Sequence, residues 1–210
     1  VMVFIGDVTG HGVPAAIVMA MVKAIVEREN LHEFDPPVVM SALHRSIGKT
    51  QKRKKMMMTA LMALIIPAEN RMLCWPAGHT YPLFLQSGKE PAFIETDSFP
   101  LGSPRKPREK PLEIFFEPGD RMVLYSDGLT EARNERGEII DYQELIRQVS
   151  ELVDTDPKAS CARIFDWHRQ VTGNHPQEDD ISVLILARHC PGINMQTRFL
   201  APWSNSHWDS

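Results

Sequence analysis

The chain has 210 residues, with 23 Lys plus Arg against 27 Asp plus Glu and a net charge of −4. That balance excludes a nucleic-acid binder held by a broad basic surface, and 43% hydrophobic with 24% charged residues excludes wholesale disorder. Its cysteines, Cys74, Cys161 and Cys190, lie far apart with no C-x-x-C spacing, which gives no disulfide framework or zinc site and suits a reducing, cytoplasmic compartment.

The first segment, Val1–Ile5, reads as a buried strand with nothing before it, so the chain is expected to lack an N-terminal part of its domain. A glycine-rich turn, Gly6 to Gly12, leads into a helix over 14–29 whose first turn accommodates Pro14. That helix is apolar nearly all round until Lys23, which predicts that it is mostly buried. No membrane span is expected. The uncharged run Val8 to Val22 contains Gly10, His11, Gly12 and Pro14 and falls short of the roughly 20 apolar residues a span needs. Nor does the N-terminus read as a signal peptide, lacking a basic start and carrying Asp7 early.

A second helix opens at Asp35-Pro36, with Val39, Leu43 and Ile47 at i+4 spacing. The basic cluster Lys49, Lys52, Arg53, Lys54 and Lys55 reads either as a solvated helix end favoured by the macrodipole or as a contact for an acidic partner. Met56-Met57-Met58 starts a run of strands and reads as strand core. Strands are predicted over 57–66, 71–75, 81–86, 112–116 and 121–126, interrupted by a basic, proline-rich loop from Ser103 to Pro111. Two helices follow. One starts at Asp141 with Glu144 in capping-box spacing, the other at Asp156-Pro157. The last strand is predicted over 181–187, and residues 188–210 read as an unstructured tail. Helices, then antiparallel-looking strands, then helices again indicate an α+β layered domain over residues 1–187.

Three acidic positions share one context, each where an apolar strand meets a turn. Asp7 follows Val3-Phe4-Ile5-Gly6, Asp127 follows Tyr125-Ser126 and precedes Gly128, and Asp179-Asp180 precedes Ile181-Ser182-Val183. Carboxylates so placed either converge on a hard cation such as Mg²⁺ or Mn²⁺ or simply make turns. The residue types and their spacing leave both readings open.

The run Asp7-Val8-Thr9-Gly10-His11-Gly12-Val13-Pro14-Ala15-Ala16 resembles the D-V-[ST]-G-H-G-x-x-A-A signature of the SpoIIE-like branch of the PPM (metal-dependent, type 2C) serine/threonine phosphatases. Thr59-Ala60-Leu61, Ala77-Gly78-His79, Pro100-Leu101-Gly102, Pro118-Gly119-Asp120, Tyr125 to Ala132 and Asp179-Asp180-Ile181-Ser182 follow in the family's order. The resemblance implies an α/β/β/α sandwich of two antiparallel sheets flanked by helices, with a binuclear Mn²⁺/Mg²⁺ site. By motif position it implies that Asp7 bridges both ions, the Val8 carbonyl binds the second, and Asp127 and Asp179 complete the first. A metal-activated water would then attack phosphorus in line. The family's further acidic ligand comes from a Gly-Gly-Asp segment before this motif. It is not in these residues, so the second metal site and the first strands are expected to be incomplete, and residues 1–210 alone to show little activity.

His11 is a candidate proton donor to the leaving alkoxide, although it lies four residues after the aspartate where eukaryotic relatives place theirs two after. A turn or supporting hydrogen bond is the other reading, for His11 and for His79. The resemblance further implies a phosphorylated bacterial regulator as substrate, a STAS-type anti-sigma-factor antagonist. It also implies an N-terminal sensor or receiver domain as a covalent partner; the dimeric state is left open. Alternative functions are a catalytically dead, partner-binding phosphatase-like module and a metal-dependent phosphodiesterase.

Overall fold

A computed structural model of the chain describes residues 1–29, 35–50 and 56–188. Lys52 to Lys55 of the basic cluster and the tail from 189 onward lie outside the described residues. The chain divides into two compact units, Val1–Thr80 with Glu95–Phe116, and Tyr81–Ile94 with the chain from Glu117.

The first unit is an antiparallel sheet in the order β1-β2-β3-β6, formed by β1 (Met2–Val8), β2 (Met58–Ile66), β3 (Arg71–Ala77) and β6 (Leu112–Phe115). Helices α1 (Val13–Glu29) and α2 (Pro36–Thr50) belong to the same unit. Met58, Ala60 and Met62 alternate along β2, as pleated residues on one face must. They share a core with Val18 and Val22 of α1, and with Val39, Met40, Leu43 and Ile47 of α2. The methionine run therefore supplies strand core at Met58.

Two expectations are corrected here. Helix α1 is not mostly buried: only Val18 and Val22 are, while Val13 is 73% exposed, Ile17 63% and Met19 44%. An apolar residue at nearly every position carries no information about which side faces the core, and a single stripe at i, i+4 does the packing. Strand β1 also runs three residues beyond the predicted end, through Gly6, Asp7 and Val8, with Asp7 opposite Thr59. Gly6 permits this as a close-approach residue and not as a turn. A Cβ there would lie 2.4 Å from Met58 Cε and 2.7 Å from the Thr59 carbonyl oxygen.

The second unit holds an antiparallel sheet ordered β5-β4-β7-β8, with β4 (Leu83–Leu85), β5 (Ala92–Phe93), β7 (Arg121–Tyr125) and β8 (Val183–Ala187). Helices α3 (Asp127–Thr130), α4 (Tyr142–Leu152) and α5 (Pro157–Thr172) complete it. Val123, Tyr125, Val183 and Ile185 form one core with Leu145 and Val149 of α4 and Cys161, Ile164 and Trp167 of α5. Strand β4 spans three residues where six were predicted, and β5, too short to show a pattern, was not expected.

The aspartate caps act as predicted, with one difference. Asp141 accepts from the Gln143 and Glu144 amides at 2.9 and 3.1 Å, and Asp156 accepts from Lys158 and Ala159 at 3.0 and 3.3 Å. Glu144, expected to reach back in a capping box, instead accepts from Arg147 at 2.8 Å. Two guanidinium bonds to a charged acceptor outweigh one amide bond at an exposed position.

Among the described residues, no helix is long and apolar enough to cross a membrane. Cys74 and Cys161 are buried, and burial pushes their thiols up to about 12 and about 11, so both serve as core residues.

Candidate metal centre

Asp127 is the first residue of α3, the single helical turn that ends β7. Its segment is locked to the one carrying Asp179 by a serine with two roles. The Ser126 hydroxyl donates to the Asp180 carbonyl at 2.9 Å and accepts from the Ser182 amide at 2.9 Å. The Ser126 amide donates to the Ser182 carbonyl at 3.0 Å, extending the β7–β8 ladder. Gly128 brings the two backbones into contact, since a Cβ there would stand 2.4 Å from the Asp180 carbonyl oxygen. In the sequence Ser126 and Gly128 only flank Asp127; in the fold they form the clamp.

The clamp places one carboxylate oxygen of Asp127 and one of Asp179 within 4.8 Å of each other. Asp127 Oδ1 is buried and has no hydrogen-bond partner among the described residues. A buried, unpartnered carboxylate oxygen is costly unless a cation satisfies it. Asp179 is exposed, and its Oδ1 accepts from the Asp180 amide at 2.7 Å, which fixes its orientation. The pair offers hard oxygen ligands only, the donor set that suits Mg²⁺ or Mn²⁺ and not a thiolate-preferring metal. By this test, the residues of the second unit fit a divalent cation.

Within the first unit, Asp7 is half-buried in β1 and Val8 ends that strand. Thr9 prolongs the pairing, its amide donating to the Met57 carbonyl at 2.9 Å and its hydroxyl accepting from the Met57 amide at 2.9 Å. His11 is exposed in the turn before α1. His79 is 5% exposed, with Nδ1 at 3.0 Å from the hydroxyl of Thr59, the cross-strand partner of Asp7. Burial holds the His79 imidazole down to about 4, so it is neutral near pH 7. His79 thus makes a supporting hydrogen bond to the strand beside Asp7, one of the readings left open above.

One feature had no sequence signal. In the second unit a cleft of about 540 Å³ is lined by Asp179 together with Gly128, Glu131, Arg133, His168 and Arg169, among others. One of its lining residues, His168, sits in helix α5, whose spacing reads as ordinary core.

The chain is similar to solved structures of phosphatase domains. Over 89% of its length it superposes on 75% of the SiaA-PP2C domain of Pseudomonas aeruginosa, with a TM-score of 0.77 at 18% identity. It also superposes, over 88% of its length, on 85% of the catalytic domain of the serine threonine protein phosphatase PstP in complex with two manganese ions, with a TM-score of 0.61 at 16% identity. The fold is therefore that of the PP2C/PPM phosphatases, two antiparallel sheets with flanking helices. Among curated proteins, the phosphoserine phosphatase RsbU of Bacillus subtilis (strain 168) is 27% identical over 186 residues, 88% of this chain. The chain spans about half the length of that relative, 54%. The family model described as Stage II sporulation protein E (SpoIIE) matches residues 1–189, and the chain belongs to that family.

Proposed function

We propose that this chain is a metal-dependent phosphatase domain that hydrolyses phosphoserine or phosphothreonine on a regulatory protein in signal transduction. The carrying observation is the clamped pair Asp127 and Asp179 with the unpartnered Asp127 Oδ1, in a chain of the SpoIIE family. Asp7 and the Val8 carbonyl join them as ligands in this reading, with Mn²⁺ or Mg²⁺ as the ions and two of them in a complete domain. The manganese of the PstP structure and the phosphoserine activity in RsbU's name support it. Bound, the ions would lower the pKa of water and offset charge on the phosphoryl oxygens.

The chain's own residues supply positioning. Ser126 and Gly128 hold Asp127 and Asp179 at a fixed separation, so that no loop has to be ordered when the cation arrives. His11, open to solvent in the turn after Asp7, is the candidate to protonate the leaving alkoxide. By the motif resemblance, the substrate is a STAS-type anti-sigma-factor antagonist; the widely spaced cysteines support a reducing, cytoplasmic setting.

The test is Asp127→Asn in the whole protein, assayed with Mn²⁺ on a phosphoserine peptide. Turnover should fall at least a hundredfold while the thermal midpoint stays within a few degrees. Wild-type turnover in the variant would overturn the assignment. Hydrolysis of a cyclic dinucleotide with no action on the phosphopeptide would point to a phosphodiesterase instead.

A further inference from the structure

The cleft counts Asp179 among its lining residues, so it borders the place where a phosphorylated residue would sit. Its charges are mostly committed. Arg133 Nη1 donates to the Gly137 carbonyl at 2.9 Å, and its Nε lies 3.6 Å from Glu178 Oε2. Arg169 is paired with Asp166. Glu131, which also lines the cleft, is exposed, and its carboxylate makes no ion pair among the described residues. The uncommitted charge of the cleft is therefore negative.

His168 gives a second, independent sign of a ligand. It is 6% exposed, it lines the cleft, and its Nε2 is buried with no hydrogen-bond partner among the described residues. A buried polar atom left unpaired costs free energy that a ligand's hydrogen bond would recover. Burial also holds the imidazole below its usual value, so the ring is neutral and does not repel a cation. The volume is in the range of clefts that take a small ligand or a few side chains. Anions are disfavoured, because both arginines already have carboxylate partners and Glu131 would oppose them.

We propose that this cleft receives a basic side chain, lysine or arginine, presented by the phosphoprotein substrate next to its phosphorylated residue. The ammonium or guanidinium pairs with Glu131 and donates to His168 Nε2 while the phosphoryl group lies toward Asp179. This rests on the phosphatase reading above for its choice of partner. The cleft would then select substrates by a charge beside the phosphate, a contact separate from the cation ligands.

The test uses the whole protein and fluorescent phosphoserine peptides of neutral composition, with a single lysine moved from three residues before the phosphoserine to three after. Binding is read by anisotropy without added metal, and turnover by phosphate release with Mn²⁺. At one or two positions lysine should tighten binding about fivefold over alanine. Glu131→Gln, at an exposed site that tolerates exchange, should bring that ratio to about one. His168→Leu should reduce it in the same way. Equal binding of all peptides by the wild type, or tighter binding of a glutamate series, would overturn the inference whatever the turnover. Lysine-dependent binding with no turnover of any peptide would instead count against the phosphatase reading and leave the cleft's preference established.

Discussion

Replacing Gly128 by alanine probes the clamp without touching a ligand. The added Cβ would stand 2.4 Å from the Asp180 carbonyl oxygen, 3.0 Å from its carbon and 3.3 Å from the Asp179 carbonyl oxygen. Ordinary contact begins at 3.4 Å, so the 179–180 backbone must retreat by 3.4 − 2.4, about 1 Å. The same carbonyl accepts from Ser126 at 2.9 Å, and a 1 Å retreat breaks that bond. Overpacking of this kind costs about 1–3 kcal/mol and the lost hydrogen bond about 1 more. For a chain of this size each kcal/mol lowers the thermal midpoint by about 2–4 °C, so the total of about 2–4 kcal/mol predicts a fall of about 4–16 °C. Because Asp179 moves with its backbone relative to Asp127, Mn²⁺ affinity should fall about tenfold or more. Differential scanning calorimetry and Mn²⁺ titration calorimetry measure the two effects. A midpoint within 1 °C of wild type together with unchanged affinity would refute the claim that the close approach holds the carboxylates in place.

Ser126→Ala should cost about 1–2 kcal/mol by chemical denaturation, because it removes two bonds and orphans the Ser182 amide; an unchanged midpoint would contradict this. Asp141→Ala removes the α4 cap and should cost about 1 kcal/mol while leaving Mn²⁺ affinity alone; a change in affinity would show that α4 is coupled to the site. His79 has a folded-state value lowered from 6.5 to about 4, so the unfolded chain binds more protons between those pH values. Stability is thus fully present above about pH 6.5 and is lost as pH falls toward 4, by up to about 3 kcal/mol from this residue. His168 and His44 are lowered in the same direction, so His79→Gln should flatten the stability–pH slope in that window without abolishing it; an identical slope in the variant would count against a buried neutral His79.

What could be read from the sequence depended on whether a signal was local. The caps at Asp141 and Asp156 were legible because each bond is made within three residues. The α2 stripe was legible because its apolar residues alternate with polar ones. Helix α1 was misread because its apolar residues do not alternate, so composition stood in for orientation. Gly6 was read as a turn residue, when its role is to admit the side chain of Met58 from the neighbouring strand. At the site, the carboxylates were named from their motif context, while the means of holding them was hidden. Ser126 meets Asp180 and Ser182 across more than fifty residues, and His168 reads as core until the cleft above it is seen.

Strand β8 lies at the edge of its sheet, paired to β7 among the described residues. Edge strands are the first to peel away in local opening, and amide exchange at their pairings reports that motion. Asp179 stands just before β8 and Asp127 just after β7, so separating the strands from that end would also pull the two carboxylates apart. A cation held by both would act as a rivet at the end of the seam. Its occupancy would be readable, with no substrate present, as slower deuterium uptake at the Ser126 and Tyr125–Val183 pairings, while the far end of the seam at Arg121–Ala187 would respond less.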